Sequence, residues 1–539
     1  MRGQSASSSG VTGASDDGSG SQHNARRHLS KTKPHSRSAP CYNGAAMNQT
    51  IRVRYAPSPT GAPHLGSIRT ALFNWLFARH HGGAFIFRIE DTDQERLVPG
   101  SVASLVEGLR WLRLDWDEGP TADGEGTKGS YGPYFQSQRL HLYHPETERL
   151  VQSGFAYRCF CSPARLDAVR RAQQQQRLPP GYDRHCRDLT DGERRRRLDA
   201  GEASVVRFRV PLDGSTAVDD LVRGEVTWEN RLLDDFIILK SDGFPTYHLA
   251  SVVDDHLMRI SHVMRAEEWL PSTPRHLLIY RALGWEPPKF AHLPLILGAD
   301  RSKLSKRHGA TSVLEYRQEG HLPEALLNFL ALLGWSLDDK TEIMSREDLV
   351  RNFSLERITK AGAIFNAEKL FWMNGVYIRN LSPEDLAERM LAFLDRDLPA
   401  EATRPVDRFY LTRIVPLVQD RLKLLSESVE LAGFFFQPHI TYDASLLVQK
   451  GMDGRSTEAA LRAVYEKSHA VDSWEALGLE AALRPLAEGL GLKPGQLFGA
   501  IRVAVTGRTA APPLFHTMEV LGRQRCLERL LHAVDGLRT

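Results

Sequence analysis

Three observations predict the fold class, which is a parallel α/β domain split by an α+β insertion and followed by an all-α region. Apolar residues alternate as in a strand from Ile51, recur at helical spacing after Ser67 and resume as a strand at Ala84. This strand, helix, strand order opens a parallel sheet. A long segment of mixed character separates it from a second α/β segment that begins at Phe236, and beyond Pro323 the apolar spacing is mostly helical.

The composition fits a globular chain of several domains. With 539 residues, of which 42% are apolar and 25% charged, the chain is long enough for about three or four domains. No apolar run approaches the ~18 residues of a membrane span, so we expect no membrane partner. The net charge of +3 comes from residues 1–46, whose six basic and two acidic residues leave 63 basic and 64 acidic residues elsewhere. Overall charge therefore gives no evidence about a nucleic-acid partner.

Residues 1–46 are rich in Ser and Gly and show no apolar periodicity. Such a segment cannot build a core, so we expect a disordered tail or a start codon assigned upstream of Met47.

Two motifs far apart in the chain suit the binding of a nucleotide. The first, residues 64–67 (HLGS), lies between the first strand and the first helix, where free backbone N–H groups and the helix dipole favour phosphate. The second, residues 303–307 (KLSKR), carries two lysines that can neutralise a leaving pyrophosphate. Each motif alone is more often an incidental loop histidine or a solvated basic run, whereas the two together favour a site.

Together these segments resemble the class I aminoacyl-tRNA synthetases. The first motif is similar to the HIGH motif, with Ser67 in place of the final His, and the second is similar to the KMSKS motif. Residues 54–61 (RYAPSPTG) and 88–93 (RIEDTD) narrow the resemblance to the bacterial glutamyl-tRNA synthetases. Three further segments match: residues 246–250 (TYHLA), 252–256 (VVDDH) and 265–269 (RAEEW).

The resemblance implies a domain order. It consists of a tail (1–46), the first half of a Rossmann-type catalytic domain (47–133), an acceptor-binding insertion (134–235), the second half with the KLSKR loop (236–322), a connector (323–378) and a helical anticodon-binding region (379–539).

A pocket for glutamate needs two cations and one anion, because glutamate carries two carboxylates and one ammonium. Arg54 and Arg265 can bind the carboxylates and Glu90 the ammonium, although a surface ion pair is the commoner role of any one such pair. We expect Arg54, with Tyr247, to bind the side-chain carboxylate. The resemblance assigns eight residues to the glutamate and adenylate site: Arg54, Ala56, Ser58, Glu90, Tyr247, Ser251, Arg265 and Trp269. Ser251 stands where many relatives carry Asn, so we expect a shorter or water-mediated contact there.

The resemblance also implies a two-step reaction. The α-carboxylate of glutamate attacks the α-phosphate of ATP, which enters with Mg²⁺, and the resulting glutamyl-adenylate acylates the terminal ribose of tRNA(Glu). The expected ATP-binding residues are Thr60, His64, Gly66, Ser67, Lys303 and Lys306. Of these, His64, Lys303 and Lys306 act by positioning and charge stabilisation. We expect a monomer that activates glutamate only with tRNA bound, and the sequence leaves open whether tRNA(Gln) is a second substrate.

Five cysteines are too few for a disulfide framework, which indicates a reducing, cytoplasmic location. The spacing of Cys159, Cys161 and Cys186 suits structural zinc near the tRNA acceptor end but provides three ligands rather than four. Zinc-bearing relatives carry a His at the position of Asp188, or a Tyr at the position of Tyr182. The candidates for a fourth ligand are Asp188, Tyr182 and His185. Three ordinary thiols in a domain without metal are the alternative.

Two other functions share parts of this pattern. A nucleotidylyltransferase would use the first motif but needs neither the second loop nor a long helical C-terminal region. A non-catalytic RNA-binding relative would have lost His64, Glu90 or Lys306, and all three are present.

Overall fold

The computed structural model describes residues 50–123, 126–309 and 311–538, except for the side chain of Lys306. The predicted tail, residues 1–46, lies outside them. Within these ranges the strands are β1 (Arg52–Tyr55), β2 (Ala84–Phe87), β3 (Gly119–Pro120), β4 (Thr127–Lys128), β5 (Ala156–Cys159), β6 (Val205–Phe208), β7 (Ser215–Asp220), β8 (Gly224–Glu229), β9 (Ile237–Leu239), β10 (His262–Ala266), β11 (Lys289–Leu293), β12 (Ile296–Leu297) and β13 (Ala363–Ile364).

The helices lie between these strands and after the last of them. In the same ranges they are α1 (Leu65–His80), α2 (Ser101–Trp111), α3 (Leu140–Gln152), α4 (Pro163–Gln175), α5 (Asp191–Asp199), α6 (Tyr247–Leu257), α7 (Thr273–Ala282), α8 (Val313–Gln318), α9 (Pro323–Leu332), α10 (Arg346–Asn352), α11 (Ala367–Arg379), α12 (Pro383–Asp397), α13 (Arg408–Val418), α14 (Ser428–Ala432), α15 (Gly454–His469), α16 (Ala476–Gly489), α17 (Pro494–Thr506), α18 (Leu514–Leu521) and α19 (Arg523–Gly536). None of the described helices is long and apolar enough to cross a membrane.

Parallel strands from both predicted halves form the catalytic domain. β1 pairs with β2, and β10 pairs with β11, both in parallel. The Ser261 N–H donates to the Arg52 carbonyl at 2.9 Å, which joins the start of β10 to β1. The carboxyl ends of β1, β2 and β10 therefore lie together, at the edge where open α/β sheets bind ligands.

Helix α1 packs against this sheet and is buried on most of its surface, including the polar side chains of Arg69 and Asn74. Leu65, Ile68, Leu72 and Leu76 are at most 1% exposed, which explains why the helix lacks a polar face. The helix stops just before Gly82, whose φ of +61° suits a residue without a side chain. Because α1 is anchored in this way, its N-terminus is fixed at the carboxyl end of β1.

Three strands in or next to the predicted insertion lie in sheets that the sequence did not indicate. β9, which the expected boundary at residue 236 assigns to the second catalytic half, pairs antiparallel with β6 and thus joins the β5–β6 sheet. The β7–β8 hairpin, inside the predicted insertion, joins the catalytic sheet instead, through Phe290 of β11 opposite Asp220. Short apolar runs show that a strand forms but not which strand it joins.

The C-terminal region is all-α and has its own hydrophobic core. Side chains from α12 to α19 form this core, together with Ala325 of α9 and Ile378 of α11. The predicted fold class, an α/β domain with an α+β insertion and an all-α C-terminal region, is confirmed.

Candidate active site

A cavity of about 620 Å³ opens at the carboxyl ends of β1, β2 and β10. It is bounded on one side by the N-terminus of α1 and on the other by the loop that follows β12. Eleven residues predicted from the sequence line it: Arg54, Ala56, Ser58, His64, Gly66, Ser67, Glu90, Tyr247, Arg265, Trp269 and Lys303.

Backbone hydrogen bonds bring the two nucleotide motifs together although they are far apart in the chain. The Leu65 N–H donates to the Thr311 carbonyl at 2.8 Å, and the Val313 N–H donates to the Pro63 carbonyl at 3.1 Å. These bonds tie the segment after the KLSKR loop to the start of α1. The loop therefore lies beside the HLGS motif.

The N-terminus of α1 presents an imidazole to the cavity rather than free backbone donors. The prediction of free N–H groups is wrong, because the first four N–H groups of the helix all have acceptors. Leu65 donates to Thr311, Gly66 donates to the Nδ1 of His64 at 3.1 Å, and the next two residues donate to the His64 carbonyl. Since Nδ1 is an acceptor, the His64 proton resides on Nε2. Burial, with the charge of Lys303, lowers the pKa of His64 against the opposing effect of Glu268.

The KLSKR loop carries one described lysine into the cavity. The Nζ of Lys303 pairs with the carboxylate of Glu268, which also lines the cavity. The backbone of Lys306 begins a 3₁₀ turn, Lys306–His308. The ring of His308 accepts the Ser305 N–H at 3.0 Å, and a Cβ at Gly298 would lie 2.5 Å from this ring. A side chain at position 298 would therefore displace the ring of His308.

Four buried charged groups meet at the floor of the cavity. The Nε of Arg54 donates to Asp255 at 3.2 Å, and Arg88 donates to Asp255 at 2.7 Å and to the Oε1 of Glu90 at 2.9 Å. Burial raises the pKa of Asp255, but Arg54 and Arg88 outweigh it, so the net shift is downward. Burial also raises the pKa of Glu90, and here it outweighs Arg88 and Arg54. The Nη1 of Arg54 and the Oε2 of Glu90 have no hydrogen-bond partner among the described residues.

Arg265 is a buried cation surrounded by neutral acceptors. Its Nε donates to His292 at 3.1 Å, and its Nη1 donates to the Tyr247 hydroxyl at 2.8 Å and faces the Nδ1 of His276 at 3.3 Å. Its Nη2 donates to the Thr273 hydroxyl at 3.0 Å. No carboxylate of the described chain pairs with it, and one Nη2 hydrogen has no acceptor there. Tyr247, expected to assist Arg54, thus contacts Arg265.

Two predicted site residues do not line the cavity, and the side chain of a third lies outside the described part of the chain. Thr60 is exposed in the loop after β1, where its N–H donates to the Ser58 carbonyl. Ser251 is fully buried in α6, with its Oγ 3.5 Å from the Oδ2 of Asp255. The side chain of Lys306 lies outside the described part of the chain.

Sequence reasoning missed several residues that complete the site. Arg88, Asp255 and His292 were not chosen, although two adjacent acidic residues in the apolar helix α6 are a signal of buried charge pairing.

The three cysteines of the insertion form a group that fits zinc. Their sulfur atoms all lie within 4.8 Å of one another, and Cys161 and Cys186 are 3.6 Å apart. A tetrahedral zinc ion with Zn–S bonds of ~2.3 Å requires sulfurs roughly 3.8 Å apart. The hydroxyl of Tyr182 lies 3.3 Å from the sulfur of Cys159. The side chain of Asp188 is 87% exposed and lies 3.4 Å from Arg209, so Asp188 does not belong to the group.

Comparison with known proteins agrees with this geometry. Residues 50–372 match the family model of the catalytic domain of class I tRNA synthetases (E and Q), and residues 385–534 match an anticodon-binding domain. The chain is 57% identical to a glutamate–tRNA ligase of Dehalococcoides mccartyi, over 91% of this chain and 99% of the relative. It is 48% identical to that of Moorella thermoacetica, over 91% of this chain and 99% of the relative.

A solved structure shows the same likeness. The crystal structure of a glutamate tRNA ligase from Elizabethkingia meningosepticum, in complex with its amino acid, superposes with a TM-score of 0.82 at 35% identity. The match covers 90% of this chain and all of that one. The chain therefore belongs to the glutamate–tRNA ligase family of class I aminoacyl-tRNA synthetases.

Proposed function

We propose that the cavity catalyses the reaction of L-glutamate with ATP to glutamyl-adenylate and pyrophosphate, and then transfers the glutamyl group to the 3′-terminal ribose of tRNA(Glu) with release of AMP, with the residues predicted above in named roles. One observation supports these roles: Arg54, Arg265 and Glu90 line the same cavity as His64 and Lys303 of the two nucleotide motifs. This set of charges is complementary to the two carboxylates and the ammonium of glutamate, next to the phosphates of ATP.

Glutamate is bound at the buried end. The Nη1 of Arg54 and the free N–H of Arg265 bind carboxylate oxygens of glutamate, and the Oε2 of Glu90 accepts from the ammonium. The α-carboxylate of the bound glutamate then attacks the α-phosphate of ATP. Trp269, whose ring centroid lies 4.6 Å from that of Tyr247, covers this end.

The nucleotide motifs act on the phosphates. The Nε2–H of neutral His64 donates to a phosphate oxygen, while Lys303 and Lys306 neutralise the leaving pyrophosphate. Mg²⁺ enters with ATP. No enzyme nucleophile is required, since the α-carboxylate itself forms the adenylate and the ribose hydroxyl then accepts the acyl group.

The cysteine group provides a structural zinc site. Cys159, Cys161 and Cys186 would hold the ion, with the hydroxyl of Tyr182 as the fourth ligand. Zinc would there cross-link the end of β5 to the loop before α5, in the domain expected to contact the acceptor end of tRNA.

Several finer statements stay predictions. They are the use of tRNA(Gln) as a second substrate, the dependence of activation on tRNA, the monomeric state, the cytoplasmic location and the expected domain boundaries.

A matched pair of variants tests the glutamate pocket. Arg54 and Arg52 both lie on β1, and each forms a mostly buried ion pair, with Asp255 and Glu118 respectively. Only Arg54 lines the cavity. Arg54→Met should raise the KM for glutamate in tRNA charging by about 10- to 100-fold, the value of a lost charge-assisted hydrogen bond. Arg52→Met should leave it unchanged, and equal effects would refute the assignment.

A further inference from the structure

Arg265 is connected to a buried carboxylate that lies outside the cavity. Its Nε donates to the Nε2 of His292, and the Nδ1 of His292 lies 2.6 Å from the Oδ2 of Asp220. The side chains of His292 and Asp220 are completely buried, and neither residue lines the cavity. Asp220 ends β7, so this strand reaches the wall of the active site through one imidazole.

The hydrogen bonds of His292 determine which of its ring nitrogens carries the proton. Two donors converge on its Nε2, the Nε–H of Arg265 and the hydroxyl of Thr273 at 3.2 Å. The Thr273 oxygen itself accepts from Arg265, so its hydrogen is available for His292. Nε2 must therefore accept, and the proton must lie on Nδ1, where it is donated to Asp220. Burial keeps the pKa of His292 below its usual value despite the opposing effect of Asp220, which favours the neutral ring.

Asp220 can provide only an acceptor to His292. Its Oδ1 accepts the backbone N–H groups of Val222 at 3.0 Å, Arg223 at 2.9 Å and His292 at 3.2 Å. Its Oδ2 accepts from the ring. The orientation of the carboxylate is thus set by the backbone.

We infer that Asp220 and His292 are positioning residues that fix the orientation of Arg265 for the binding of glutamate, by holding His292 in its Nδ1–H tautomer. This inference rests on the proposed role of Arg265. It makes the β7–β8 hairpin a part of the glutamate site although no residue of the hairpin contacts the cavity.

The variant Asp220→Asn tests the tautomer directly. Three backbone donors require the amide oxygen at the Oδ1 position, so the amide NH₂ would face the Nδ1 of His292. The ring proton would then move to Nε2. Two N–H groups, that of His292 and the Nε–H of Arg265, would then face each other, and the hydrogen bond between them would be lost. We expect the KM for glutamate in tRNA charging to rise by about 10- to 100-fold, the effect of losing a hydrogen bond of a charged group. The KM for ATP and the melting temperature should change little.

A pair of substitutions at His292 provides a second test that does not depend on the folding of Asp220→Asn. Gln and Met have similar length, but only Gln carries an oxygen that can accept the Nε–H of Arg265. His292→Gln should keep a KM for glutamate near that of the wild type, and His292→Met should behave like Asp220→Asn. In the His292→Gln background, Asp220→Asn should lose most of its effect, because an amide has no tautomer to set.

Comparison with Arg265→Met separates the two claims. If Arg265→Met raises the KM for glutamate while Asp220→Asn and His292→Met do not, the positioning role is refuted and the proposed function stands. Equal losses in His292→Gln and His292→Met would also refute it. If Arg265→Met leaves the KM for glutamate unchanged, the proposed role of Arg265 fails and the inference fails with it.

Discussion

The substitution Glu90→Gln tests the glutamate pocket at the carboxylate that is proposed to bind the ammonium of the substrate. Gln keeps the shape of the side chain and an oxygen that can accept from Arg88, which retains its pair with Asp255 at 2.7 Å. The variant loses only the negative charge that is proposed to bind the ammonium of glutamate. A hydrogen bond to a charged group contributes about 1.5–3 kcal/mol, so we expect the KM for glutamate to rise by about 10- to 100-fold. The KM for ATP should stay nearly constant.

The raised pKa of Glu90 adds two expectations. Because burial raises its pKa above the ordinary value of 4.5, the folded protein binds this proton more tightly than the unfolded chain. Ionisation of Glu90 therefore costs stability as the pH rises through its folded pKa, and Glu90→Gln should leave the free energy of unfolding at pH 7 unchanged or higher. Below the same folded pKa the wild type should lose kcat/KM for glutamate, and the variant should lack this dependence.

Glu118 provides the matched control. It is as buried as Glu90, at 9% exposed, and it also pairs with one arginine, at 2.8 Å from Arg52, but it does not line the cavity. Glu118→Gln should leave the KM for glutamate unchanged. The reasoning is refuted if Glu118→Gln and Glu90→Gln raise this KM equally, or if Glu90→Gln affects glutamate and ATP alike.

Three further outcomes are expected. Lys303→Ala should slow glutamate activation in single-turnover assays by about tenfold or more, without lowering the melting temperature, because its side chain is 59% exposed; a wild-type rate would contradict its role. Cys186→Ser should abolish bound zinc measured by mass spectrometry, whereas Asp188→Ala should retain it, and the reverse result would exclude the proposed ligands. Gly298→Ala should lower the charging rate, since its Cβ would lie 2.5 Å from the ring of His308; an unchanged rate would show that the loop geometry is not required.

Contiguous motifs could be predicted from the sequence because their function depends on local geometry. Arg54 lies near the carboxyl end of β1, and Glu90 lies just after the carboxyl end of β2. Because these two strands are adjacent and parallel, both residues line the cavity, as expected. His64 caps α1 because it directly precedes the first apolar helical run. The family resemblance and the charges of glutamate identified Arg54 and Glu90, and the strand order explains why the two residues lie together.

Long-range pairing could not be predicted in the same way. Asp220 reaches the site because β7 lies beside β11, in a contact set by sheet order rather than by any local pattern. The partner of Tyr247 depends on side-chain directions at the end of β10, and the N–H groups of α1 are satisfied by a segment that follows the KLSKR loop. Each of these features joins residues that are distant in the chain, so a single sequence carries no direct signal of them.

Glutamate-dependent exchange of pyrophosphate into ATP, measured with and without tRNA, tests the central claim most directly. The account predicts exchange with glutamate when total tRNA is present and little or none in its absence. Exchange without tRNA would contradict the expected dependence of activation on tRNA. Failure of exchange under both conditions would contradict the assignment of this cavity to glutamate activation.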